Sequence, residues 1–121
     1  MAYILVVDDD AAIRKLMSTL LSAEGHNVLE SSSGVGVVEQ HCRTPFDLII
    51  LDIIMPDKEG LETLMELRKC EHKANVLAVS GGGPDGVLDF LPVAEKMGAT
   101  KVLKKPFSRE DFLTACRELL E

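Results

Sequence analysis

Chemistry in this sequence is carried by Asp8, Asp9 and Asp10 in a run, by a further acid at Asp52, by the hydroxyl of Ser80 and by the ammonium of Lys105. Each follows closely on an apolar stretch: ILVV before the acidic run, LIIL before Asp52, VLAV before Ser80, and VL before Lys104 and Lys105. If Asp8, Asp9 and Asp52 share one rim of a fold, their charges repel, by about 4 kcal/mol for a pair about 4 Å apart at an effective dielectric of about 20. A cation is therefore expected. With carboxylate oxygens and no thiolate or imidazole nearby, a hard ion fits, and Mg2+ commonly bridges one or two carboxylates to a phosphoryl oxygen. A carboxylate can then serve as nucleophile to phosphorus and form an acyl phosphate, provided that cationic groups neutralise the equatorial oxygens. Lys105 supplies an ammonium and Ser80 a hydroxyl for that purpose.

Taken singly, these residues have ordinary roles: Asp10 as a helix N-cap, Asp8 and Asp9 as loop acids, Asp52 and Ser80 as turn residues, Lys105 as a surface lysine. Their joint position carries the argument. In open parallel sheets, functional groups collect in the crevice at the carboxyl ends of the strands, where strand order reverses. The apolar runs Ile4 to Val7, Leu48 to Leu51, Val76 to Val79 and Val102 to Leu103 are continuous, as in parallel strands covered on both faces. A shorter strand is expected at Val28 to Glu30.

Helical periodicity fills the intervals. Ile13, Leu16, Met17, Leu20 and Leu21 recur at helical spacing, with Asp10 placed to cap and Gly25 just past the end. Leu61, Leu64 and Met65 mark a second helix, and Phe112, Cys116, Leu119 and Leu120 a third, opened by Ser108 with Asp111 in capping-box position. The stretch from Gly34 to Cys42 is rich in glycine and valine, so a helix there depends on packing. Between Gly81 and Gly98, glycines and Pro84 predict a mobile loop, with only Val93 to Met97 helical. Five strands alternating with five helices imply right-handed crossovers and an α/β fold, a doubly wound parallel sheet.

The 121 residues leave room for one domain, 1–121, which buries roughly two-thirds of its unfolded surface. No apolar run approaches the roughly 20 residues of a membrane span, and Met1-Ala2-Tyr3 leads into a strand without the segments of a signal peptide. A cytoplasmic location is expected, with no membrane contact. The net charge of −7 repels polyanions, so nucleic-acid binding by this domain is not expected. Cys42, Cys70 and Cys116 show no CxxC spacing and are expected to be buried free thiols. His26, His41 and His72 lack a second ligand at helical or turn spacing and read as surface or local hydrogen-bonding residues.

The stretches ILVVDDDAAIR (Ile4 to Arg14), DLIILDIIMPDKEG (Asp47 to Gly60), VLAVSG (Val76 to Gly81) and KKPF (Lys104 to Phe107) resemble the receiver domain of bacterial two-component response regulators over essentially the whole chain. The resemblance implies a CheY-like, flavodoxin-like (βα)5 sheet of strand order 2-1-3-4-5. It implies that Asp52 is the phosphoacceptor, that Asp9 and Asp52 ligate Mg2+ directly with the Ile54 carbonyl, and that Asp8 helps through water. Ser80 and Lys105 then contact the phosphoryl oxygens. A cis Lys105–Pro106 peptide is also implied, against about 5% of X-Pro bonds generally. The implied partners are a histidine kinase or histidine phosphotransfer protein as donor, and an output domain or separate target reading the fourth and fifth helices. Such a domain catalyses only its own phosphorylation and dephosphorylation.

Two departures from the family pattern matter. Val102 stands where an aromatic residue is usual, three positions before the lysine, so the expected relay is Ser80 with a rearrangement of Gly81 to Gly86. Ile54 and Gly82 flank the expected phosphoryl site and neither can orient water, which predicts slow self-dephosphorylation. Two rival readings are a phosphorylation-independent docking module and an aspartate-nucleophile phosphatase of the haloacid dehalogenase type. The second needs an aspartate two residues after its nucleophile for proton transfer, and the residue there is Ile54.

Overall fold

The computed structural model describes residues 1–53, 60–71, 74–81 and 91–121. Strands β1 (Tyr3–Val7), β2 (Asn27–Ser31), β3 (Leu48–Asp52), β4 (Asn75–Ser80) and β5 (Lys101–Lys104) alternate with helices α1 (Ala11–Ala23), α2 (Val37–Arg43), α3 (Gly60–Arg68), α4 (Leu91–Lys96) and α5 (Arg109–Leu120). All ladders are parallel, and the sheet order is β2-β1-β3-β4-β5. The winding reverses between β1 and β3, which places the crevice of the sheet at their carboxyl ends.

Successive strand residues point to opposite faces, and here both faces are covered. Ile4, Val6, Leu48, Ile50, Leu77 and Val79 pack with residues of α1 and α5, among them Met17, Leu21 and Phe112. Leu5, Val7, Ile49, Leu51, Val76 and Ala78 face the other way, onto Val37, Leu64, Leu67 and Ala94 of α2, α3 and α4. This explains the unbroken apolar runs, since each side chain fully removed from water contributes about 1.5–3 kcal/mol on either face.

Helix ends follow the chemistry of their caps. Asp10 accepts from the Ala12 and Ile13 amides at 3.0 and 3.3 Å, and Ser108 from the Asp111 amide at 2.9 Å. Gly25, at φ +92°, turns the chain after α1. Helix α2 begins only at Val37, later than the expected Gly34, because Gly36 adopts a left-handed φ of +82°. Helix α4 starts at Leu91 rather than Val93, and Pro92 is tolerated in its first turn, where an amide has no intrahelical partner. The expected loop rearrangement lies outside the described residues except for Gly81, as do Ile54, Gly82 and His72. The Lys105–Pro106 peptide is cis. Among the described residues no helix is long and apolar enough to cross a membrane.

One expectation needs correction. Cys42, in the last turn of α2, and Cys70, just beyond α3, are joined as a disulfide with Cα atoms 6.9 Å apart, so only Cys116 is a free thiol. Their separation of 28 residues leaves no local signal of pairing. His41 makes a local bond, as expected: its Nδ1 accepts from the Phe46 amide five residues on at 3.1 Å, in a fully buried position where its ring stacks on Phe46. His26 accepts from the Ala2 amide at 3.0 Å, across 24 residues of sequence.

Candidate functional site

The sheet delivers its polar residues to one rim. Asp8 follows β1, Asp52 ends β3, Ser80 ends β4, and Lys105 follows β5. The register fixes their proximity, with Val7 beside Leu51, Asp52 beside Val79 and Ser80 beside Lys104. The Lys105 amide donates to the Ser80 carbonyl at 2.9 Å, which carries the ladder one residue past the strand. As a result, Asp8, Asp9 and Asp52 each bring a carboxylate oxygen within 4.8 Å of the others. Lys105 Nζ lies 2.8 Å from Asp8 Oδ2 and 3.5 Å from Asp52 Oδ2.

Burial differs sharply within the cluster. Asp8 and Ser80 are fully buried and Asp52 nearly so, whereas Asp9 is exposed. Asp8 is fixed on all sides: its amide donates to the Ser31 carbonyl at 3.0 Å, and its Oδ1 accepts from the Asp10 amide at 2.9 Å. Its carbonyl accepts from Arg14 Nη1 at 2.7 Å, and Arg14 Nε in turn donates to Glu30 at 3.1 Å. Burial disfavours the charge on Lys105, but the hydrogen bond to Asp8 and the charge of Asp52 outweigh it and raise its pKa above the usual 10.5. Among the described residues, the Lys105 ammonium against the carboxylates of Asp8, Asp9 and Asp52 leaves the rim negative, and this donor set is all oxygen. This acidic pocket could bind a metal. Oxygens on one small cation ligated at about 2.1 Å lie at most about 4.2 Å apart, so small side-chain rotations would close the observed spread.

Helix α3 abuts Asp52 directly. A Cβ added to Gly60 would fall 2.2 Å from the Asp52 carbonyl oxygen and 2.5 Å from Ile53 Cα, so only glycine permits this approach. The Gly60 amide donates to the Ile53 carbonyl at 2.8 Å and closes the segment between strand and helix. Val102 is half-buried and packs on the core face shared with α2, α3 and α4. Beside Lys105 an apolar groove of about 460 Å³ is lined by Ile13, Leu16, Gly81, Lys105, Pro106 and Phe107.

The family described as the response regulator receiver domain matches residues 4–117. The chain belongs to that family. This receiver domain is 33% identical over 121 residues to the transcriptional regulatory protein CpxR homolog of Haemophilus influenzae, covering 99% of this chain and 51% of that protein. It thus spans about half the length of that relative. It is 28% identical to the chemotaxis protein CheY of Halobacterium salinarum, covering 97% of this chain and 95% of CheY. The crystal structure of the receiver domain of NtrX from Brucella abortus superposes with a TM-score of 0.85 at 28% identity, covering 97% of each chain.

The expected site residues Asp8, Asp9, Asp52 and Lys105 therefore meet at one rim of this receiver domain, and Ser80 ends the strand beside Asp52. Ile54 lies outside the described residues. Arg14 and Gly60 went without a role in the sequence reading, although each closes one of the quoted motifs. Arg14 reaches back six residues from the first turn of α1 to the Asp8 carbonyl, a contact that the sequence alone does not signal. The contact of Gly60 with Asp52 is a matter of tertiary packing.

Proposed function

We propose that Asp52 accepts a phosphoryl group from the phosphohistidine of a histidine kinase or histidine phosphotransfer protein, and that the resulting change controls a partner or output domain. The observation that carries this reading is Lys105 Nζ held between Asp8 and Asp52 at 2.8 and 3.5 Å, at a rim where three carboxylates converge. An Asp52 oxygen attacks phosphorus, the bond from phosphorus to the donor imidazole breaks, and the imidazole leaves with the electron pair and takes up a proton. Lys105 lies nearer Asp8 than Asp52, so it can turn to a phosphoryl oxygen while keeping its bond to Asp8. Ser80, one strand over from Asp52, offers its hydroxyl to another oxygen. Asp9 and Asp52, with Asp8 through water and the Ile54 carbonyl, would hold Mg2+, which when bound neutralises charge on the phosphoryl oxygens. The groove of Ile13, Leu16, Pro106 and Phe107 offers the donor an apolar surface next to Lys105. This reading assigns the domain to the cytoplasm, where such donors act, and makes it a signalling element with no free substrate of its own.

The test is intact mass after incubation with Mg2+ and a small phosphodonor. One acid-labile phosphoryl adduct is expected, absent from Asp52→Asn. No adduct would indicate a docking module, and turnover of donor without accumulation would indicate a phosphatase. Ile54, two residues after Asp52, and Gly82, two after Ser80, are the expected neighbours of the phosphoryl site and have no group to orient water, so the adduct should be long-lived, and Ile54→Glu should shorten its life. Equal decay in both would remove that argument.

A further inference from the structure

The Cys42–Cys70 pair lies away from the acidic rim, where α2 and the end of α3 run side by side. Cys42 is exposed, whereas Cys70 is 6% exposed, so an external reagent meets one sulphur and the other is shielded behind it. Their Cα atoms are 6.9 Å apart, just beyond the usual range of about 4.4–6.8 Å and within the limit of about 7 Å for bridging without backbone movement. Cys116 provides the contrast. It is buried at α5, and desolvation pushes its pKa up to about 12, so it forms almost no reactive thiolate at neutral pH.

We propose that Cys42 and Cys70 form a reversible thiol–disulfide site, exchanging with small-molecule thiol–disulfide couples, that fastens the carboxyl end of α3 to α2. In the oxidising direction the Cys42 thiolate attacks one sulphur of glutathione disulfide, forming a mixed disulfide and expelling one glutathione thiolate. The Cys70 thiolate then attacks the Cys42 sulphur and expels the second glutathione. Two electrons pass from the protein sulphurs to glutathione, and the two protons of the protein thiols end on two glutathione molecules. An exposed attacking sulphur with a shielded resolving partner suits this order of events. The fastened helix is the one whose other end, at Gly60, abuts the Asp52 carbonyl, so the site constrains α3 from the end opposite the acceptor.

The full chain equilibrated across glutathione redox ratios, then mapped by mass after thiol alkylation, tests the proposal. Oxidising ratios should remove the mass of two hydrogens and yield joined Cys42 and Cys70 peptides, reversibly with dithiothreitol, while Cys116 stays unlabelled throughout. The oxidised form should melt on the order of 10 °C above the reduced form, as closing a loop of this length predicts. Amide exchange across Gly60–Arg68 should slow several-fold on oxidation. Cys42→Ser, at an exposed position, should abolish every redox response, and the reduced native chain gives the same baseline without a substitution. Thiols that stay free at all ratios, glutathione adducts without pairing, or pairing that leaves melting and α3 exchange unchanged would each overturn the proposal. No phosphodonor enters the experiment, so its outcome is independent of whether Asp52 is phosphorylated.

Discussion

The two rims of the sheet use polar side chains in opposite ways. At the amino ends of the strands, Asp47 accepts from the Tyr3 amide at 2.8 Å, His26 from the Ala2 amide at 3.0 Å, and Asn75 donates to the Leu119 carbonyl at 2.9 Å. Each of these bonds ties a side chain to backbone of another part of the chain, and the bonds are spread along the rim. At the carboxyl ends, Asp8, Asp9 and Asp52 crowd together around one lysine. Breaking a buried ion pair from one side costs about 3–5 kcal/mol, whereas a bond like those at the amino rim contributes about 1 kcal/mol. The amino rim closes the fold, and the carboxyl rim holds an excess of negative charge that a cation would relieve.

Substitution at the carboxyl rim should therefore have the largest effects. Lys105→Met leaves buried Asp8 without its ammonium partner, and is expected to cost about 3 kcal/mol in denaturant unfolding and to abolish accumulation of the phosphoryl adduct. A loss under about 1 kcal/mol would mean that the pair is solvent-screened. The pH dependence follows in sign. The pKa of Lys105 is raised on folding, above the usual 10.5, so its stabilisation is complete below the unfolded pKa and fades as pH rises through the folded one. Melting curves from neutral pH to strongly alkaline pH should show native chain and Lys105→Met converging above pH 10.5, and a constant gap would contradict the assignment.

Gly60→Ala comes next. The added carbon meets backbone of Asp52 and Ile53 rather than a side chain that could move, so a loss of about 1–3 kcal/mol is expected, in the range of overpacked cores. Phosphorylation should slow as well, because the acceptor strand must shift. A variant as stable and as fast as the native chain would show that α3 does not position Asp52. The smallest effect belongs to the amino rim: Asp47→Ala should lose about 1 kcal/mol and leave the rate of adduct formation unchanged. A slowed rate in that variant would erase the distinction between the two rims.

Sequence reading reached the carboxyl rim more completely than its surroundings. Strand runs and their terminal residues lie next to one another in the chain, so Asp8, Asp52, Ser80 and Lys105 could be placed once the parallel sheet was inferred. Helix α1 was equally readable, because Asp10 and Gly25 mark its ends by local chemistry. The start of α2 was not, since Gly34 and Gly36 are both permissive and only the folded chain gives Gly36 its left-handed turn. Burial of His41 and pairing of Cys42 with Cys70 depend on how α2 meets β3 and α3. No local pattern encodes such meetings. Gly60 is a case between these, visible as part of a motif but explained only by its approach to Asp52.

The claim on which the account turns is that the three acids make one cation site beside the acceptor. Thermal melting during a Mg2+ titration addresses it without any phosphodonor. The native chain should gain about 2.7 kcal/mol when Mg2+ reaches a hundred times its Kd, and Asp9→Asn, altered at an exposed position, should lose most of that gain. A native chain indifferent to Mg2+, or an Asp9→Asn chain that responds equally, would contradict it.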